Sequence, residues 1–445
     1  MSSTNVEPTV KRTALPHGSW VIHPWNAWRA RGRGILGFLG PGLITGASDD
    51  DPSGIATYSQ AGAQFGYSLT WIMLFTWPLM AAIQEISARI GRVTGKGIAG
   101  NIRDYYPVWL LRLIVSLLLI ANFINLGADL GAMGDALRLL IGGPRGFYVV
   151  LFALGCAALE IFSSYERYTR ILKWSTLSLF AYVATTLVIQ VPWGEVAYRT
   201  LIPEFSWEKD YIVTIVAVLG TTISPYLFFW QASEEAEDER VNPAEHPLIE
   251  HPEEAGSEIR RIEVDTYLGM GLSNVIALFI IVTTAATLHL HGITDIQTSE
   301  QAAQALRPIA GDFAFAFFAA GIVGTGLLAV PVLAGSAAYA LAESFGWPSG
   351  LGRQPHEAKA FYATIVGGTV IGIAINFVNL DPIKALFWTA VINGIVAVPL
   401  MIVMMVMTMQ PKVMGQLTLP TWLWVVGWLS TAAMAAAVVT MFVTW

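Results

Sequence analysis

From about residue 34 to the end, the chain alternates long apolar runs with short polar connections. A run of roughly 20 apolar residues is what a helix needs to cross a bilayer. The pattern predicts eleven spans, at 34–66, 68–90, 108–133, 146–163, 171–192, 210–233, 264–290, 312–342, 358–378, 382–408 and 420–444. Two of them are interrupted. In the first, "GASDDDPSGIATYSQAGA" (46–63) places Asp49, Asp50 and Asp51, then Pro52 and Gly54, inside an otherwise apolar stretch. About 14 apolar residues precede the aspartates and about 11 follow, and at roughly 1.5 Å per residue neither half crosses a core of about 30 Å alone. The sixth span, "VAVLGTTISPYLFFW", carries Thr221, Thr222, Ser224 and Pro225 at its middle. Proline there removes a helix hydrogen bond and clashes with the preceding turn.

Spans one and six are five apart, and an odd number of crossings leaves two five-span blocks in opposite orientations. Interrupted segments at corresponding places in two inverted halves point to a transporter's binding site. Irregular backbone at that depth is tolerated inside protein or against a wet cavity. The expected organisation is an N-terminal tail (1–33), a first five-span repeat (34–192), a second inverted repeat (210–408) and an eleventh span (420–444). Asp51-Pro52 also reads as a helix start, with Asp as N-cap and Pro in the first turn. That accounts for Asp51 but not for Asp49 and Asp50.

Composition agrees with a polytopic all-α membrane protein: 54% of residues are hydrophobic and 13% charged, against about a quarter charged in globular chains. The polar, basic tail lacks a signal-peptide core, so the first span is expected to anchor itself. Placing the N-terminus inside puts 19 of the 25 Lys and Arg in inside segments, the bias expected of a cytoplasmic N-terminus in a plasma or inner membrane. The single cysteine, Cys156, excludes an intrachain disulfide. One segment breaks the apolar pattern. Residues 234–261 hold ten acids against three bases and read as a solvated, partly disordered cytoplasmic loop.

Ionisable groups inside a membrane mark an ion or substrate pathway. Carboxylate, hydroxyl and carbonyl oxygens suit Mg²⁺, Ca²⁺ or Mn²⁺, and three aspartates would repel an anion. Neither joint contains Cys, Met or His, and all seven histidines fall in tails, loops or span ends. Glu85 and Arg89, four apart, read as a structural ion pair. Asn122, Asn125 and Asp129 share a helical stripe; the asparagines read as interhelical hydrogen bonds and Asp129 as a pathway residue.

These residues resemble a known family. "GPGLITGAS" followed by "DPSG" resembles the first-span Asp-Pro-Gly-Asn motif of the NRAMP divalent-metal transporters. "ARIGRVTGKGIAGNIRDYYP" (88–107) resembles the end of their second span and the following loop, and "TTISPYLFF" stands where they have Ala-x-x-Met-Pro-His. The resemblance covers most of the chain and implies a LeuT-like five-plus-five fold with unwound spans one and six. It implies that Asp51, Gly54, Thr221 and Ser224 occupy the metal-binding positions. Asp49, Asp50, Tyr226, Asp129 and Asn393 would stand around them.

The departures matter. The family's asparagine is Gly54 here, its methionine Ser224, its carbonyl-donating alanine Thr221 and its proton-linked histidine Tyr226. The third-span glutamate is Ala132, the ninth span lacks an arginine pair, and Asn393 is the nearest amide to a tenth-span glutamine. Loss of a thioether favours hard ions. Smaller residues imply a wider site for partly hydrated Mg²⁺, which sheds water reluctantly, as in the NRAMP-related magnesium transporter branch. Loss of the proton-path residues implies transport without proton coupling. The alternatives are a proton-coupled Mn²⁺/Fe²⁺ transporter, a sodium-coupled organic-solute symporter on the same fold, and a non-transporting sensor with the acidic loop as output. No enzymatic activity, cofactor or nucleic-acid partner is expected. The partners are the transported divalent ion and the lipid bilayer, and the chain is expected to act as a monomer.

Overall fold

A computed structural model describes residues 41–162, 180–241, 246–307, 311–378 and 381–445, and every described element is helical. The expected tail (1–33) and the start of the first span lie outside them. The helices are α1 (Pro41–Asp49), α2 (Pro52–Phe65), α3 (Thr70–Thr94), α4 (Ile98–Tyr105), α5 (Val108–Ile141), α6 (Arg145–Phe162), α7 (Phe180–Val188), α8 (Trp193–Leu201), α9 (Lys209–Thr222), α10 (Pro225–Val241), α11 (Ala255–Thr287), α12 (Ser299–Gln304), α13 (Ala314–Phe345), α14 (Lys359–Ile375), α15 (Pro382–Thr408), α16 (Pro411–Met414) and α17 (Thr421–Thr444). Nine of the eleven expected spans coincide with them; the first and fifth lie partly outside the described residues, where α1 and α2 follow the rest of the first and α7 falls within the fifth. Eight helical stretches among the described residues are long and apolar enough to cross a membrane, and α14 is a shorter apolar helix.

Both interruptions are present. The first falls at Asp50–Asp51 between α1 and α2, the second at Ile223–Ser224 between α9 and α10. The broken helices sit inside the bundle. α1 packs on α11 and α10; α2 packs on α11, α15 and α9; α9 packs on α15; and α10 packs on α3 and α13. Glycine allows the closest of these approaches. A Cβ on Gly46 would lie 2.3 Å from the Gly269 carbonyl carbon, and one on Gly91 would lie 2.0 Å from the Ala232 carbonyl oxygen.

The acidic segment corrects the expectation in its first part, while Glu250 and Glu253 farther along are exposed as expected. Residues 234–241 are not a solvated loop: they continue α10, and Glu234, Glu235, Glu237 and Glu239 are buried. Each faces a partner on another helix. Glu235 Oε2 pairs with Arg261 at 2.5 Å, and Glu239 faces Arg92 at 3.6 Å. Glu237 accepts the Gly352 amide at 2.6 Å and the Tyr339 hydroxyl, and Glu234 Oε1 lies 3.1 Å from that same hydroxyl, whose single proton serves one carboxylate at a time. Composition suggests solvation; in space, donors from α11 and α13 meet Glu235 and Glu237, and the Arg92 charge on α3 faces Glu239. Residues 242–245 of this segment lie outside the described residues. The Glu85–Arg89 pair forms as expected, at 2.7 Å, and Arg89 also reaches Glu263 at 3.1 Å.

Arg261→Leu is expected to leave Glu235 buried without its counter-charge and to lower stability by about 3–5 kcal/mol. Thermal unfolding of the detergent-purified protein reads this. Adding Glu235→Leu should restore most of the loss, and a single variant as stable as wild type would show that the pair carries no stability.

Candidate cation site at the two helix breaks

Asp51 closes the first break. Its backbone is extended (φ −66°, ψ 171°), so it stands as the N-cap of α2. Oδ1 accepts the Gly54 amide at 2.7 Å and the Ser53 hydroxyl at 2.6 Å. Pro52 suits the first turn because its missing N–H would have had no helical partner. The positive end of the α2 dipole favours the carboxylate. Oδ2 looks the other way. It accepts Asn125 Nδ2 from α5 at 3.1 Å and lies 3.4 Å from the Tyr226 hydroxyl. That hydroxyl donates at shorter range to the Ser48 carbonyl, at 2.9 Å. The carboxylate thus meets α2, α5 and α10, Tyr226 links α10 to α1, and every side chain named is buried.

The second break arrives from the opposite side. Ser224 donates within its own turn, to the carbonyls of Gly220 at 2.9 Å and Thr221 at 2.8 Å. Thr221 and Ser224 therefore meet, with the serine hydroxyl on the carbonyl that the resemblance assigns to the metal. The Thr221 hydroxyl faces α2: a Cβ on Gly54 would lie 3.2 Å from it, 3.2 Å from the Asp49 carbonyl and 3.3 Å from the Tyr58 ring. The room expected from Gly54 is filled by Thr221 and Tyr58 in this conformation.

The surrounding residues divide. Asp49 and Asp50 turn toward α11, where the Ser273 hydroxyl lies 2.6 Å from Asp49 Oδ2 and 3.2 Å from Asp50 Oδ1. Asp129 is fully buried on α5, and neither carboxylate oxygen has a hydrogen-bond partner. Asn393 is buried on α15 beside Gly394, which packs against Gly220 of α9, and its Nδ2 has no partner. Two members were missed as site residues. Ser273 gave no sequence signal beyond being one polar residue in an apolar span. Asn125 was read as an interhelical hydrogen bond. Both asparagines make such a bond, Asn122 to the Leu333 carbonyl at 3.1 Å and Asn125 to Asp51 Oδ2 at 3.1 Å, and the second bond brings Asn125 to the helix break.

Chemically, the joint offers one carboxylate, amides, hydroxyls and main-chain carbonyls, which are hard oxygen donors. Among the described residues, no three His, Cys, Asp or Glu side chains converge as a metal-ligand set. An ion here would be held by Asp51 with neutral oxygens, an arrangement suited to passage rather than to permanent retention.

The profile of the Natural resistance-associated macrophage protein-like family, Nramp, matches residues 42–444. The chain belongs to the Nramp family. It is 26% identical to the divalent metal cation transporter MntH of Klebsiella pneumoniae over 425 residues, covering 91% of this chain and 93% of that one. Among solved structures it is similar to a manganese transporter of Eremococcus coleocola, with a TM-score of 0.70 and 18% identity over 95% of this chain and 87% of that one. It also resembles MhsT, solved with L-phenylalanine, with a TM-score of 0.59 and 12% identity over 93% and 98% of the two chains. These neighbours place the Nramp chain in the LeuT-like fold class.

The cap role of Asp51 can be separated from any role toward an ion. Asp51→Asn and Asp51→Ala both remove the charge, but only Asn keeps an oxygen for the Gly54 amide. Asp51→Ala is expected to be less stable than Asp51→Asn by about 0.5–2 kcal/mol, the value of one N-cap. Equal unfolding temperatures in detergent would remove the capping assignment.

Proposed function

We propose that this Nramp protein carries divalent metal cations across a plasma or inner membrane by alternating access, with partly hydrated Mg²⁺ as the main ion and Mn²⁺ also accepted. The observation that carries the reading is Asp51, a buried carboxylate at the break of one helix, facing a second broken helix whose family methionine is Ser224. Oxygen replaces sulfur, and hard ions gain from the exchange. Similarity to proteins described as divalent metal cation and manganese transporters supports the substrate class. The orientation has the N-terminus in the cytoplasm, in line with the Lys and Arg bias, and the monomer is the working unit.

Transport runs down the electrochemical gradient. The residues that stand at the family's histidine, glutamate and arginine positions are Tyr226, Ala132 and an apolar α14. Tyr226 is occupied in holding the Ser48 carbonyl. A membrane potential of 100 mV, negative inside, favours entry of a divalent ion by about 4.6 kcal/mol, so no second driving ion is required. A proton-coupled Mn²⁺ transporter is the second reading. The retained, unpartnered Asp129 favours it.

Purified protein in liposomes distinguishes them. Under a clamped potential, Mg²⁺ and Mn²⁺ should enter, Ca²⁺ poorly, and an internal pH dye should stay flat; metal-driven acidification would favour the second reading. Asp51→Asn should abolish uptake of both ions while remaining folded, and unchanged uptake would remove the site.

Selectivity gives a further check. Ser224→Met is expected to raise Cd²⁺ affinity in a calorimetric titration and to lower Mg²⁺ uptake, because sulfur prefers the softer ion. Tight Cd²⁺ binding by the wild type together with exclusion of Mg²⁺ would overturn the magnesium assignment.

A further inference from the structure

Along α5, Asn122, Asn125 and Asp129 lie on one buried stripe. The amide oxygens of both asparagines, and both oxygens of Asp129, accept no hydrogen bond. Buried acceptors are normally satisfied, so a row of unsatisfied ones calls for a ligand or a second state. Asn125 is the informative member because its other amide atom is fixed. Nδ2 donates to Asp51 Oδ2, the oxygen that α2 does not use for its cap.

A cation at Oδ2 would face an N–H dipole pointing at it. Turning the amide by half a revolution about its last side-chain bond exchanges Nδ2 for Oδ1, the atom that now lacks a partner. The reverse also holds: with no cation present, Oδ1 against the Asp51 carboxylate would be repelled, so the donor orientation is the cation-free one. The position that carries the family's asparagine cannot supply this oxygen. Gly54 has no side-chain amide, and a Cβ there would already lie 3.2–3.3 Å from the Asp49 carbonyl, Thr221 and Tyr58.

We propose that Asn125 is an ion-facing specificity residue, which caps Asp51 when the site is empty and turns Oδ1 toward the cation, or toward a water on it, when the site is filled. It supplies from the third span the amide oxygen lost from the first. The proposal rests on the divalent-cation reading above. A neutral oxygen adds a hard contact without a second charge, which suits Mg²⁺ and Mn²⁺. Ca²⁺ prefers more carboxylates and more direct ligands.

The test compares wild type, Asn125→Leu and Asn125→Asp in liposomes, with initial uptake of Mg²⁺, Mn²⁺ and Ca²⁺ measured over a concentration series and thermal unfolding measured alongside. Asn125→Leu should raise the KM for Mg²⁺ about 10- to 100-fold, the loss of one contact to a charge. Asn125→Asp keeps an oxygen and adds charge, so it should keep Mg²⁺ uptake and raise the Ca²⁺ to Mg²⁺ ratio. If Asn125→Leu does not fold, the ion ratios of Asn125→Asp decide alone. Variants that lose stability but keep wild-type ion ratios and KM overturn the proposal and leave Asn125 a packing residue. A wild type that moves none of the three ions overturns the functional reading and this proposal with it.

Discussion

Asp51 is the constraint on which the rest of the structure turns. A carboxylate at this depth must be met by donors, because water does not solvate it there. Two donors come from its own helix start, Ser53 and Gly54, and one from α5. The cap requires the chain to be extended at Asp51, so α1 and α2 cannot be one continuous helix. The break in turn exposes main-chain carbonyls such as Ser48, and Tyr226 arrives from α10 to satisfy that one. That hydrogen bond joins the second broken helix to the carbonyl the first break leaves free.

The two breaks were legible in the sequence for local reasons. Asp-Pro and Ser-Pro inside apolar runs are violations of helix chemistry, and a violation can be seen without knowing any neighbour. Asp51 and Ser224 stand at those breaks, with Thr221 in the last turn before the second. What the local signal does not contain is the partner. Asn125 and Asn122 are alike as residues on one stripe. One meets the Leu333 carbonyl and the other meets Asp51, and the difference is set by which helix lies opposite each turn of α5. Asp49 and Asp50 were assigned to the ion's surroundings because they adjoin Asp51, yet successive residues point in different directions, and theirs is toward Ser273.

The part of the acidic segment that continues α10 departs from the expectation for the complementary reason. Ten acids in 28 residues look solvated when each is counted as a charge. On α10 several are instead half of a buried contact, with Arg261, Arg92, Tyr339 and the Gly352 amide as the other halves. Arg92, Tyr339 and Gly352 are far off in sequence and Arg261 stands at the opposite end of the segment, so composition alone places the glutamates in water. Burial of this kind adds little net stability, since desolvation offsets attraction, but it makes the arrangement specific.

That specificity bears on the proposed transport. α10 begins at the cation site with Pro225 and Tyr226, and its far end carries the buried glutamates. If α10 swings to release an ion, the glutamates leave their partners together and meet water. Their desolvation cost is recovered in the same movement that loses the pairing, so the closed and open arrangements differ by a small residue of two large terms. A helix held only by apolar contacts would lose its burial on opening and regain nothing from solvent. In the proposed transport cycle, buried acids on α10 would thus supply a contact that is strict in geometry and costs little net free energy to exchange.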